Sequence, residues 1–158
     1  MYLKRNVYKR LIEWKNSADH STLEVNGARQ VGKTYLINKF ADDYFKQKIY
    51  INLFELSGKQ FLECYEQAIA WKPGTKRPEH PLHDAFLLYE PSFQDTEDTV
   101  IIIDEIQESA EIYNRIREFT RQFKCRFIVT GSYLGRVYDS EFRFSSGDVT
   151  KLTIYTLF

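Results

Sequence analysis

Gly27-Ala28-Arg29-Gln30-Val31-Gly32-Lys33-Thr34 decides the reading of this chain. It has the form G-x-x-x-x-G-K-T, and its flanks are what such a loop needs. Thr22-Leu23-Glu24-Val25-Asn26 before it alternates like a strand, and Tyr35-Leu36-Ile37-Asn38-Lys39-Phe40 after it has helical spacing of apolar residues. Strand, glycine loop and helix in that order form a phosphate-binding element. The glycines let backbone N–H groups turn toward a polyphosphate, and the helix N-terminus adds partial positive charge. Lys33 is placed to reach the terminal phosphates, and the Thr34 hydroxyl to bind Mg²⁺. The candidate ligand-binding set is therefore Gly27, Ala28, Arg29, Gln30, Val31, Gly32, Lys33, Thr34 and Tyr35.

Thr99-Val100-Ile101-Ile102-Ile103-Asp104-Glu105-Ile106-Gln107 is its partner. Four consecutive β-branched residues predict a strand buried on both faces. It ends in two carboxylates, and parallel α/β sheets bind ligands at the carboxyl ends of their strands. Asp104 is expected to hold Mg²⁺ with Thr34, and Glu105 to polarise the attacking water. Asp104 could also cap a following helix. A third strand, Arg126-Phe127-Ile128-Val129, runs into Thr130-Gly131-Ser132. A polar residue there is expected to sense the attacking water or the last phosphate, with Thr130 preferred and Ser132 second. Thr-Gly-Ser is also ordinary turn chemistry.

The rest of the chain fits an α/β order around these motifs. Leu3 to Trp14 predicts a helix with Leu3, Val7, Leu11 and Trp14 along one face and basic residues on the other, read as a solvated face. A strand is expected over Lys48–Leu53 and a helix over Ser57–Ala70, with Phe61, Leu62, Tyr65 and Ile69 as its stripe. Residues 71–83 hold three of the four prolines and read as a surface loop carrying His80 and His83. Helices follow over Leu82–Tyr89 and Ser109–Phe123, the latter burying Ile112, Ile116 and Phe119. Val149–Leu157 alternates as a last strand after the turn at Ser145–Asp148.

The 158 residues suit one domain, residues 1–20 being a basic helix and linker and 71–83 the proline-rich loop. The formal net charge of +0 argues against a dedicated polyanion binder. Cys64 and Cys125 are too few for a disulfide framework and read as reduced thiols. No ligand-spaced set suggests zinc. No run approaches the roughly 20 apolar residues of a membrane span, and no signal peptide is evident, so the cytoplasm is the expected compartment.

With these residues laid out, the chain resembles the prokaryotic AAA-type P-loop ATPases whose ATPase domain precedes a second domain of unknown function. The resemblance rests on Leu11-Ile12-Glu13-Trp14-Lys15, on Gly27 to Leu36, on Tyr50-Ile51-Asn52-Leu53 and on Ile103-Asp104-Glu105-Ile106-Gln107. Thr130-Gly131-Ser132-Tyr133-Leu134-Gly135 and Leu152-Thr153-Ile154-Tyr155 complete it. It implies a three-layer P-loop fold with a mostly parallel five-stranded sheet in the order 5-1-4-3-2, the Thr130 strand lying between the phosphate-loop strand and the acidic-tipped one. A sensor strand in that place also suits a glutamate base beside the aspartate. Similar proteins often carry a basic residue where this chain has Asp148. No lid-like helices follow the last strand, so the chain reads as the ATPase domain by itself.

The implied activity is Mg²⁺-dependent ATP hydrolysis, with Glu105, Lys33 and Thr130 as catalytic residues and Thr34 and Asp104 at the metal. A nucleotide-gated switch with slow hydrolysis, a DNA-linked helicase-like motor and, last, a nucleotide kinase are the other readings. No guanine-specific N-K-x-D motif is present. Arg136 and Arg143 are candidates for an arginine supplied to a neighbouring subunit, and turnover by the lone domain is expected to be slow. Self-association, and a protein or DNA partner met through a further domain, stay open at this point; a membrane partner is not expected.

Overall fold

A computed structural model describes residues 2–27, 32–131 and 148–154, with the side chains of residues 2–5 left aside. Five strands form one sheet: β1 Thr22–Asn26, β2 Gln47–Asn52, β3 Thr99–Asp104, β4 Arg126–Gly131 and β5 Val149–Thr153. Their order is β2-β3-β4-β1-β5 and every pairing is parallel. Read from the other edge this is 5-1-4-3-2, as expected.

Helices cover both faces. α1 Tyr2–Lys15 and α2 Lys33–Tyr44 pack on one side, where Leu11, Trp14, Ile37 and Phe40 meet Leu23, Val25, Ile102 and Ile128. On the other side lie α3 Leu56–Ile69, α4 Pro81–Tyr89, α5 Ala110–Tyr113 and α6 Ile116–Gln122. There Phe61 stacks on Phe86 at 4.9 Å and Phe119 on Phe127 at 4.4 Å between ring centroids. A sheet covered twice buries β3 along its whole length, which is why that strand is a continuous apolar run.

The structure departs from the sequence reading in four places. The helix expected over Ser109–Phe123 is two. Ser109 caps α5 by accepting from the Ile112 N–H, and Arg115 opens α6. Ile112 and Tyr113 are both buried, and the break falls at Asn114 and Arg115. Ile112, Ile116 and Phe119 stay on the buried side, as expected. The loop over 71–83 ends at His80, because Pro81 opens α4 in the first helical turn, where a missing N–H costs nothing. His83 is a residue of α4, stacked on Phe123 at 3.9 Å with its Nε2 3.0 Å from Asp95 Oδ2. The stripe of α3 runs through Gly58, Phe61, Tyr65 and Ala68, leaving Ile69 exposed. Finally, β5 stops at Thr153, and residues 155–158 lie outside the described residues.

Cys125 is buried and Cys64 half-buried, both as free thiols. Burial pushes the Cys125 thiol well up, so it behaves as an apolar core group.

Two polar anchors seat the elements around β1. Asp148, buried, takes Arg121 Nε at 2.9 Å on its carboxylate, while its backbone oxygen accepts from Thr22 N and Thr120 Oγ1. An acidic residue at this position thus ties the start of β5 to α6 and β1. Arg126 holds the end of α1. It is only 4% exposed, lies over the Trp14 ring at 4.2 Å and donates to the carbonyls of Lys15 at 2.8 Å and Trp14 at 3.0 Å. Those carbonyls belong to the last turn of α1, where intrahelical partners run out. Burial pulls the guanidinium pKa down, but the donated bonds keep it useful as a cation at a helix C-terminus. Arg126→Leu is expected to cost about 2–4 kcal/mol in denaturant unfolding, since charge-assisted bonds to carbonyls at the end of α1 are lost. A loss under about 0.5 kcal/mol would show that α1 is held by apolar packing alone.

Candidate functional site

The site lies at the carboxyl edge of β1, β3 and β4, where α2 begins. β1 leaves the sheet through Gly27, at φ 157°, and a Cβ there would come within 2.4 Å of the Ile154 carbonyl oxygen. The adjoining backbone is pinned by Ile154 N donating to Asn26 O at 2.8 Å. Gly32, at φ 80°, turns the chain into α2 through the left-handed region, which glycine enters without strain. Ala28, Arg29, Gln30 and Val31, all named from sequence, lie outside the described residues.

Lys33 is the first residue of α2 and is 4% exposed. Among the described residues it pairs with no carboxylate. A buried cation without an acid is costly and calls for an anion. Thr34 follows, and its Oγ1 donates to Asp104 Oδ2 at 2.9 Å, so the two residues named for the metal are together. Tyr35 points outward at 70% exposure and lines a cavity of about 1070 Å³ between α1 and α2, with Tyr8, Ile12, Leu36 and Tyr44.

Asp104 is 3% exposed and closes β3. Both its oxygens are occupied. Oδ1 accepts from the Glu105 N–H at 3.0 Å and from the Thr130 hydroxyl; Oδ2 accepts from Thr34 and, at 2.7 Å, from the Tyr50 hydroxyl. Sequence reasoning placed Thr130 on the attacking water or last phosphate; in this structure its hydroxyl is engaged with Asp104 instead, and the side chain is 1% exposed. Ser132, Arg136 and Arg143 fall outside the described residues.

Glu105 stands at φ 54°, a left-handed conformation that non-glycine residues adopt rarely and mostly where function or a tight turn demands it. A 3₁₀ turn, Ile106–Glu108, follows it, and the Gln107 side-chain amide donates to its Oε2. Asp104 therefore does not cap a long helix; its carboxylate braces the turn through the Glu105 N–H.

Tyr50 was missed as a site residue. A signal was present: Lys48, Tyr50 and Asn52 put polar groups on one face of the edge strand β2, whose other face is Ile49 and Ile51. Burial and the bond to Asp104 push the phenol pKa well above its usual range, so it stays a donor.

The donor set is oxygen-only, with one carboxylate and one hydroxyl, and no group of three or more His, Cys, Asp or Glu is gathered among the described residues. That suits Mg²⁺, which takes one or two protein oxygens and fills the rest with water and phosphate. Zinc chemistry does not fit it.

A family model described as "AAA domain" matches residues 19–158. The chain belongs to the AAA domain family. Its fold is that of an AAA-type P-loop ATPase domain. None of the curated proteins compared with this AAA domain matches it. Among solved structures it is similar to the Aeropyrum pernix ORC1 protein in complex with DNA, at TM-score 0.53 and 16% identity over 96% of this chain and 44% of that one. It is also similar to the Pif1 helicase from Candida albicans, at TM-score 0.53 and 17% identity over 100% of this chain and 40% of that one. At such identities the likeness concerns the fold, and this AAA domain spans less than half the length of either protein. Among the described residues no helix is long and apolar enough to cross a membrane.

Proposed function

We propose that this AAA domain binds ATP with Mg²⁺ and hydrolyses it, slowly when alone, and passes its nucleotide state to a further domain or partner in the cytoplasm. The observation that carries this reading is Lys33, buried with no acid partner among the described residues, next to the Thr34–Asp104 pair at 2.9 Å. Lys33 and the glycine loop from Gly27 to Gly32 hold the phosphates, with Tyr35 following Thr34 on α2. Thr34 and Asp104 hold Mg²⁺, which when bound draws charge from the phosphate oxygens. Glu105 accepts a proton from the attacking water, and Thr130 with Ser132 senses the terminal phosphate. Arg136 or Arg143 serves a neighbouring copy, so turnover per molecule rises with protein concentration.

ATP-induced thermal stabilisation with and without Mg²⁺, followed by phosphate release, tests this reading. No stabilisation by Mg·ATP overturns it. Asp104→Asn is expected to weaken Mg²⁺-supported ATP binding by about tenfold or more, down toward the affinity in EDTA, because an amide replaces the only carboxylate of the donor set. Titration of Mg²⁺ against bound ATP reads the effect, and an unchanged midpoint would move the cation to another residue.

A second reading has its own support. Gln107 donates to Glu105, and Glu105 sits in a strained backbone conformation, an arrangement that suits a base held back from water. The domain would then act as a nucleotide-gated switch. Tight binding with turnover under about 0.01 s⁻¹ favours the switch, and stimulation by DNA favours a helicase-like motor.

A further inference from the structure

Asn52 and Tyr50 lie on the face of β2 that Asp104 occupies on β3. Asn52 is in register with Asp104, and Tyr50 with Ile102, one side-chain pair earlier. The phenol is long enough to span that offset. Its hydroxyl reaches Asp104 Oδ2 at 2.7 Å, while Asn52 Nδ2 approaches the same phenol oxygen at 3.4 Å. The Asn52 orientation is fixed independently, because its Oδ1 accepts from Phe54 N at 2.9 Å. That leaves the amide hydrogens for the phenol. A phenol has one proton, and with an amide donating to its oxygen that proton goes to the carboxylate. The direction of the chain is thus set: Phe54 N–H to Asn52, Asn52 to Tyr50, Tyr50 to Asp104.

We propose that Tyr50, oriented by Asn52, is the positioning residue for the cation-binding carboxylate, holding Asp104 so that Mg²⁺ meets an ordered ligand. The proposal rests on the Mg²⁺ reading of Asp104 and Thr34 given above. Thr130 and the Glu105 N–H fix one oxygen of the carboxylate. Thr34, which shares the other oxygen, is itself a ligand and must adjust when the cation enters. Tyr50 is the donor on that oxygen with no ligand duty, so it carries the orientation through binding. Partners of this kind, outside the ligands themselves, typically change metal affinity or activity by about 10–100-fold when removed. Tyr50 also lies in the β2 strand that leads into the exposed Phe54, so a contact at the β2–α3 corner has a hydrogen-bonded route to the metal carboxylate.

Tyr50→Phe keeps the ring and removes the hydroxyl. The Mg²⁺ concentration giving half-maximal ATP binding is expected to rise about tenfold, with ATP affinity in EDTA and the unliganded melting temperature unchanged. An unchanged Mg²⁺ midpoint overturns the proposal. So does a variant in which melting temperature and EDTA affinity fall while the midpoint rises, since that marks a packing role. If the wild-type protein binds ATP with no Mg²⁺ dependence, the metal reading of Asp104 fails, and this proposal with it. A dependent wild type with an insensitive Tyr50→Phe removes the proposal alone.

Discussion

Lys33→Met is expected to weaken ATP binding roughly 10- to 100-fold while leaving the unliganded protein as stable as before or more so. The two effects have one cause. Lys33 is 4% exposed and faces no carboxylate among the described residues, so its charge is a cost until an anion arrives. Methionine keeps the stem and the helix propensity at the start of α2 and removes the charge. With ligand, a charge-assisted bond of about 1.5–3 kcal/mol is lost, which weakens binding roughly 10- to 100-fold. At an ATP concentration near 100 times the wild-type Kd, the stabilisation of about 2.7 kcal/mol then shrinks to about 0.4–1.4 kcal/mol. Thermal melts with and without Mg·ATP read both signs at once. An equal ligand-induced shift in the two proteins would remove Lys33 from the phosphate site.

Glu105→Gln separates binding from chemistry. The amide is isosteric, tolerates the same φ of 54° at the same cost and still offers an oxygen to the Gln107 amide. It cannot take a proton from water. Single-turnover phosphate release is expected to fall by about 10²–10⁴, the usual worth of a positioned general base, with ATP affinity unchanged. Wild-type turnover in this variant would shift the search to Glu108 or Glu55.

Much of the fold was legible because its decisive signals are local. A glycine loop between a strand and a helix, and a run of β-branched residues ending in two carboxylates, each need only a short window of chain. The sheet order came from the resemblance and was met in full. What escaped was set by distant neighbours. Tyr50 becomes a site residue only because β2 lies beside β3 in one register. Asp148 looks like a turn residue until Arg121 and Thr22 are placed against it. The break between α5 and α6 comes beside a distant contact, Tyr113 donating to the Glu24 carboxylate at 2.8 Å. Periodicity kept the apolar stripe and could not see the kink. The conformation of Glu105 had no signal at all, since its residue type gives no hint of a positive φ.

The place of β1 in the sheet has a consequence for how the protein is made. β1 pairs only with β4 and β5: Leu23 lies against Ile128 and Thr22 against Val149. Within this domain the strand that carries the glycine loop comes before β2 and β3 in the chain, yet both its neighbours come after them. Pairings this distant in sequence are slow to close, because loop entropy is met before any contact repays it. β2 and β3 can associate earlier on the growing chain, but β1 must wait, with its phosphate loop unformed. On the proposed ATP reading, nucleotide has no site until β4 and β5 are in place, and ATP is expected to act as a ligand of the folded domain, locking β1 to β4 and β5.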